Sequence, residues 1–243
     1  MSLLSVSKTK NRHGQKRLEL SCMVQIKVNK PITQSEKAYH ILKKMIICGD
    51  LSEGDAISIL SLSEQLGIGR TPITAACQHL EYYGLVRIIP KQGVWVNTIS
   101  IEEAREIYEA RAAIETFFIR KAMSSLTQAD IEALSASIER QLQLGEEANY
   151  HEYMAEDTYF HSYCMSKYPN KTLAQMYDQL LARISLCGIK NASKELTRKS
   201  RLEAAIQDHR EIIRCIQRKD IEAAGQAMTQ HITSGYLKLT GTL

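Results

Sequence analysis

Proline and glycine are scarce in this 243-residue chain, at 4 and 12, and tryptophan occurs once. The few helix breakers fall where helices should end, so the chain reads as mainly helical. Its six cysteines, at 22, 48, 77, 164, 187 and 215, form no C-x-x-C pair. That spacing writes neither a thiolate zinc site nor a redox motif, and reduced, mostly buried thiols are expected. Apolar runs such as Met45-Ile46-Ile47-Cys48 stop after a few residues, far short of the roughly 20 that cross a bilayer. The stretch Ser2-Leu-Leu-Ser-Val6 is too short for a secretory core, and Lys8, Lys10, Arg12, Lys16 and Arg17 follow it rather than precede it. No membrane span and a cytoplasmic location are expected.

With 44% hydrophobic and 24% charged residues, the chain has the balance of a globular protein able to bury a core. Its length suits two domains. The net charge of +4 is unevenly spread: residues 1–98 hold 13 Lys and Arg against 7 Asp and Glu, and residues 99–243 hold 18 against 20. Most of the excess lies in residues 1–30, with 7 basic residues and the single acid Glu19. Such a tail is expected to be flexible and solvated, though it can add phosphate contacts to a nucleic-acid binder.

Periodicity predicts a helix over Thr33–Cys48, with Ala38, Ile41, Leu42, Met45 and Ile46 on one face and Gly49 as terminator. Ser61 and Glu64 suggest a capping box for a short helix ending at Leu66. Pro72 stands near the start of a third helix with the stripe Ile73, Ala76, Cys77, Leu80. Leu85–Ile89 and Val94–Asn97, around Pro90-Lys-Gln-Gly93, read as a hairpin. Ser100 and Glu103 open a second region with only helical periodicity, in six helices at about 101–123, 128–144, 149–167, 171–187, 196–218 and 221–239, broken at Thr127, Gly145, Pro169-Asn170, Gly188 and Lys219-Asp220. The expected fold is mainly α. It comprises a tail over 1–30, a winged helix-turn-helix over 31–98 and an all-helical bundle of about six helices over 99–243.

Three helices and a hairpin form the pattern in which the third helix enters the DNA major groove. If its apolar stripe is buried, Arg70, Thr71, Thr74 and Gln78 face outward, where they can meet phosphates or base edges. Lys91, Gln92 and Gly93 at the hairpin tip would reach the backbone or minor groove. A winged helix that binds protein and no DNA is the alternative, since fold alone does not fix function.

The second region places polar residues inside apolar stripes. Asp157 and His161, at i and i+4, share the inner face of one helix with Tyr153, Phe160 and Cys164. His209 follows Ile206 and precedes Ile212 and Ile213, and His231 lies between Met228 and Ile232. His209 stands ten residues before the Lys219 corner and His231 twelve after it, so an antiparallel pair sets them level, roughly 15–18 Å from the turn. One carboxylate and three imidazoles suit Zn²⁺, Ni²⁺, Mn²⁺ or Fe²⁺ with one or two open positions; satisfied core histidines are the alternative. His13, His40, His79 and His151 lie outside this constellation. Arg111, between Ile107 and Ile114, needs an anion, either Glu115 at i+4 or a bound carboxylate. Arg183, flanking the stripe Met176, Leu180, Cys187, is a second candidate for that ligand.

The segment from Leu62 to Val86, with Gly93-Val-Trp-Val96 beyond it, resembles the signature of the GntR family of bacterial transcription regulators. By that resemblance Arg70 reads a guanine and Thr71 holds phosphate. The family usually has Ser, Arg and Glu where this chain has Gly69, Thr74 and Ala75. Residues 101–243 resemble the effector-binding domain of the FadR-type subfamily (the FCD domain), with Asp157 and His161 matching its D-x-x-x-H pair and His209 and His231 its later histidines. The resemblance implies a homodimer on a palindromic operator whose bundle binds a metal and a small carboxylate effector. A regulator, not an enzyme, is expected. A metalloenzyme fused to a winged helix, or a regulator with a purely structural metal, remains open at this point.

Overall fold

The computed structural model describes residues 32–47, 49–147, 149–191 and 195–240, with the side chains of 150, 151 and 188–201 outside that description. The basic tail, Cys22 and Cys48 therefore lie outside the described residues, while Cys77, Cys164, Cys187 and Cys215 are buried.

The chain first folds as α1 (Gln34–Ile47), β1 (Ala56–Ile57), α2 (Ile59–Leu66), α3 (Arg70–Tyr82), β2 (Val86–Ile89) and β3 (Gly93–Val96). Ala38, Leu42 and Ile46 of α1 meet Ile73, Cys77 and Leu80 of α3 in a buried core. The strands form an antiparallel sheet in the order β1-β3-β2, and Val94 pairs with both Ile57 and Ile88. Two details depart from the sequence reading. Helix α2 is capped three residues earlier than expected, by Ser58, whose hydroxyl accepts from the Ser61 amide at 3.2 Å. Strand β1 was not expected, because two residues are too few to carry an alternation; it exists only as the partner of β3.

Six further helices follow: α4 (Ile101–Ala122), α5 (Gln128–Glu146), α6 (Tyr150–Lys167), α7 (Lys171–Asn191), α8 (Glu195–Gln217) and α9 (Ile221–Thr240). Ser100 caps α4 through the Glu103 amide at 3.0 Å, and Thr127 with Asp130 forms a reciprocal capping box on α5. The centre of the bundle is α4, packed against α6, α7 and α9, while α8 bridges α5 and α9. Helices α5 and α7 run past the expected breaks at Gly145 and Gly188, to Glu146 and Asn191. At Gly145 a side chain would collide with Leu202 of α8, so this glycine permits close helix approach rather than ending a helix. In α7, Leu180 and Cys187 are buried as expected, together with Tyr177 and Ile184, while Met176 is exposed and Tyr177 takes its place on the inner face.

Where the reading domain meets the bundle, Gly84 takes φ +69° just after α3. Asn97 ties that turn to the wing by donating its amide to the carbonyls of Gly84 at 2.8 Å and Val86 at 3.2 Å. Asn97→Ala removes both bonds and leaves two half-buried carbonyls short of a donor. The expected cost is about 1–2 kcal/mol, read as a lower urea midpoint from the fluorescence of Trp95, the chain's single tryptophan. An unchanged midpoint would show that this amide does not pin the wing.

Candidate functional site

Helices α6, α8 and α9 bring His161, His209 and His231 together. Their Nε2 atoms lie 3.2 Å apart in all three pairings. Each opposite nitrogen is already engaged. His161 Nδ1 donates to Glu115 Oε2 at 2.7 Å, His209 Nδ1 to Gln141 Oε1 at 3.0 Å, and His231 Nδ1 to Asp208 Oδ2 at 3.2 Å. An ionised carboxylate or an amide oxygen only accepts, so each ring carries its proton on Nδ1 and turns the Nε2 lone pair toward the other two. Three lone pairs at that spacing repel one another unless a cation sits among them. An ion about 2.1 Å from each nitrogen would subtend roughly 100° between them, between octahedral and tetrahedral geometry. The donor set therefore fits a borderline divalent metal.

Burial, reinforced by the charges of His231, His161 and Arg111, holds His209 well below its ordinary value. Burial also lowers His231, against the opposing pull of Asp208. Both rings are neutral near pH 7, the form in which imidazole binds metal. Phe160 stacks on His209 with centroids 4.2 Å apart and shields one face of the site. Asp157 stands one step back, with Oδ1 3.7 Å from His161 Nε2 and 3.8 Å from His209 Nε2. Three of the four expected ligands are thus gathered, and the fourth borders them.

Behind His161 lies the buried carboxylate of Glu115. Its Oε1 accepts from Arg111 Nε at 2.7 Å and from the Tyr177 hydroxyl at 2.5 Å. Burial alone would raise Glu115, but Arg111 and His161 outweigh it and bring the group to about 2. Arg111 is thus paired with Glu115, the structural option of the two considered. Only Nε is used, however; the two terminal nitrogens bond no described residue, although Arg111 is only 8% exposed. The expectation for Arg183 is corrected. It does not join the site but pairs with Glu103 of α4 and lies against Gly84, because it sits six residues, about 9 Å along the helix axis, beyond Tyr177, the α7 residue that meets Glu115.

In the reading domain Arg70, Thr71 and Gln78 are exposed along one side of α3. Thr74 is half-buried and donates its hydroxyl to the Arg70 carbonyl at 3.0 Å. Lys91, Gln92 and Gly93 are exposed at the hairpin tip, where the Gln92 amide donates to the Ile89 carbonyl at 3.0 Å. Lys91 has φ 65°, a conformation such turns normally give to glycine.

Glu115's role as hub, with Gln141, Tyr177 and Asp208, was not anticipated. Gln141 carried the same signal as the histidines, being a polar residue in the α5 stripe between Ile138 and Leu144. His40 and His79 belong to an aromatic cluster with Tyr39 and Tyr83 instead. No described helix is long and apolar enough to cross a membrane.

The family of bacterial regulatory proteins named gntR matches residues 34–96, and the FCD domain matches residues 106–234. The HTH-type transcriptional regulator YdhC of Bacillus subtilis is 28% identical over 86% of this chain and 92% of its own length. The HTH-type transcriptional repressor RspR of Escherichia coli is 27% identical over 86% of this chain and 89% of its own. Among solved structures, E. coli McbR/YncC superposes with a TM-score of 0.75 at 20% identity, covering 87% of this chain and 99% of that one. YdhC and RspR are named as regulators of transcription.

The lowered groups fix the sign of a pH dependence. His209 and His231 bind protons more weakly folded than unfolded, so their contribution is present above about 6.5, the ordinary value, and is lost as pH falls below it. Chelator-treated protein is expected to have a lower urea midpoint at pH 5.5 than at pH 7.5. A midpoint that is equal or higher at pH 5.5 contradicts this assignment.

Proposed function

Because the chain belongs to the GntR family of bacterial regulators and carries an FCD domain, it is a DNA-binding transcriptional regulator, and we propose that its bundle senses a small carboxylate through a divalent metal. The observation that carries this reading is the set of three Nε2 atoms 3.2 Å apart whose ring partners are all engaged. His161, His209 and His231 hold the ion, with Asp157 as fourth ligand. Zn²⁺, Ni²⁺, Mn²⁺ and Fe²⁺ all suit mixed imidazole and carboxylate donors. The metal supplies a Lewis-acidic anchor for one carboxylate oxygen, and Arg111 offers its two free nitrogens to the ligand's remaining charge. Glu115 holds both the arginine and the imidazole of His161 in place.

Glu115 does not suit the role of general base. Its carboxylate already accepts from three donors and is held at about 2, too weak a base to take a proton from a metal-bound water.

On the DNA side, Arg70 reads a base edge from the start of α3, Thr71 and Gln78 contact phosphate or base, and Thr74 adds a shorter reach. Lys91, Gln92 and Gly93 approach the neighbouring backbone or minor groove. A lysine kept at positive φ costs roughly 1 kcal/mol or more, and a cation needed at the wing tip accounts for its retention. Two such domains in a homodimer address a palindromic operator with half-sites about one helical turn apart.

Purified protein is expected to hold about one divalent ion per chain, measured by plasma emission spectrometry. The His209→Ala/His231→Ala double variant should hold less than a tenth of that, since it removes two of the ligands. Full retention of metal by the folded double variant refutes the site. Arg111→Lys keeps the charge beside Glu115 but loses the fork. It should retain metal while binding a stabilising organic acid about tenfold more weakly, or about 1.4 kcal/mol, in thermal-shift titrations across a panel of small acids. Equal affinity in Arg111→Lys and the parent removes Arg111 from the ligand site.

A further inference from the structure

Helix α7 touches both functional halves of the molecule. At Tyr177 its hydroxyl donates to Glu115 at 2.5 Å, and Glu115 in turn accepts from His161 at 2.7 Å. Six residues on, about 9 Å along the helix axis, Arg183 reaches the reading domain. Its guanidinium pairs with Glu103 in the first turn of α4. Its stem runs over Gly84, so closely that a β-carbon there would lie 3.3 Å from Arg183 Cδ and 3.4 Å from Cγ. Gly84 is the turn that ends the reading-helix unit, and Asn97 bonds that same turn to the wing. Helix α7 also packs against α1.

We infer that Arg183 is a positioning residue that clamps the reading domain to α7, so that a change at the histidine site felt through Glu115 and Tyr177 is passed to the turn after α3. The inference rests on the metal reading above. The observations favour α7 as the connecting element because it is tied by hydrogen bond to the site and by a packed, ion-paired side chain to the turn. A half-exposed ion pair adds little to stability. Its placement matters instead: the contact joins α3's terminal turn, α4's first turn and α7 at one side chain. A rotation or slide of α7 that displaces Arg183 must move Gly84 or break the contact, so the two domains hold a shared geometry. Linkage then requires that metal at the histidines and DNA at α3 alter each other's affinity by the same factor.

The test uses the full-length chain, chelator-stripped or reloaded with Zn²⁺ alone, and a duplex enriched from random sequence by the parent protein. The ratio of duplex affinity between loaded and stripped protein should be at least fivefold for the parent. In Arg183→Ala the ratio should fall to within twofold of unity, with Zn²⁺ stoichiometry kept, and Arg183→Lys, which retains charge and stem, should restore most of it. Hydrogen exchange gives a readout that needs no DNA: Zn²⁺ should change protection across 84–97 in the parent and not in Arg183→Ala. A parent ratio near unity, or an Arg183→Ala ratio equal to the parent's, overturns the inference while leaving metal binding and DNA reading standing. Absence of bound Zn²⁺ or of any enriched duplex overturns it together with the reading on which it rests.

Discussion

A carboxylate buried at the centre of a helical bundle is costly unless both its oxygens are hydrogen-bonded, and Glu115 meets that requirement with three donors: Arg111, Tyr177 and His161. These partners come from α4, α7 and α6, so the single group fixes how three helices sit around the core. It orients the rest of the site as well. Because its oxygens can only accept, it forces the His161 proton to Nδ1, and Gln141 and Asp208 impose the same choice on the other two rings. The convergence of three Nε2 lone pairs thus follows from acceptors placed behind the rings, in the manner of outer-shell partners at metal centres.

The same constraint divides the arginines by role. Arg111 is neutralised through Nε yet keeps both terminal nitrogens, so it holds its carboxylate and still presents a fork. Arg183, at the seam with the reading domain, is ion-paired to a surface carboxylate and acts through where its stem lies. A guanidinium bonded through Nε leaves its terminal nitrogens open to a further acceptor, whereas a packed stem over a glycine makes mechanical contact between domains.

The stripes of α6, α8 and α9 made the histidines legible, because a polar side chain at an apolar period is a local property of one helix. The six-helix count was legible for the same reason, through Ser100, Thr127 and the Lys219 corner. What could not be read is what depends on neighbours. Tyr177 and Met176 differ by one residue, and only the packing of α4 decides which is buried. Arg183 likewise lands where Glu103 and Gly84 receive it, and neither contact is written in its own helix. Gly145 looked like a terminator since glycine ends many helices, but the proximity of Leu202 explains it better. Strand β1 has no periodicity at all and is defined by its partner.

Glu115 illustrates a further limit. At i+4 from Arg111 it reads as half of an ordinary helix pair, whose worth on a surface would be a few tenths of a kcal/mol. Burial changes its meaning. In the bundle core the pair cannot be relaxed by water, so each donor it recruits becomes a positional constraint on a different helix. A change of ligand at the histidines must therefore either be absorbed at Glu115 or be passed on. With three donors held within 2.7 Å, the group has little slack to absorb it. Looser contacts lie farther out, at Asp157, which stands 3.7 and 3.8 Å from two of the ring nitrogens, and at the half-exposed Arg183–Glu103 pair. Those two places, one bordering the histidines and one at the seam between the domains, are held less tightly than the bonds of Glu115.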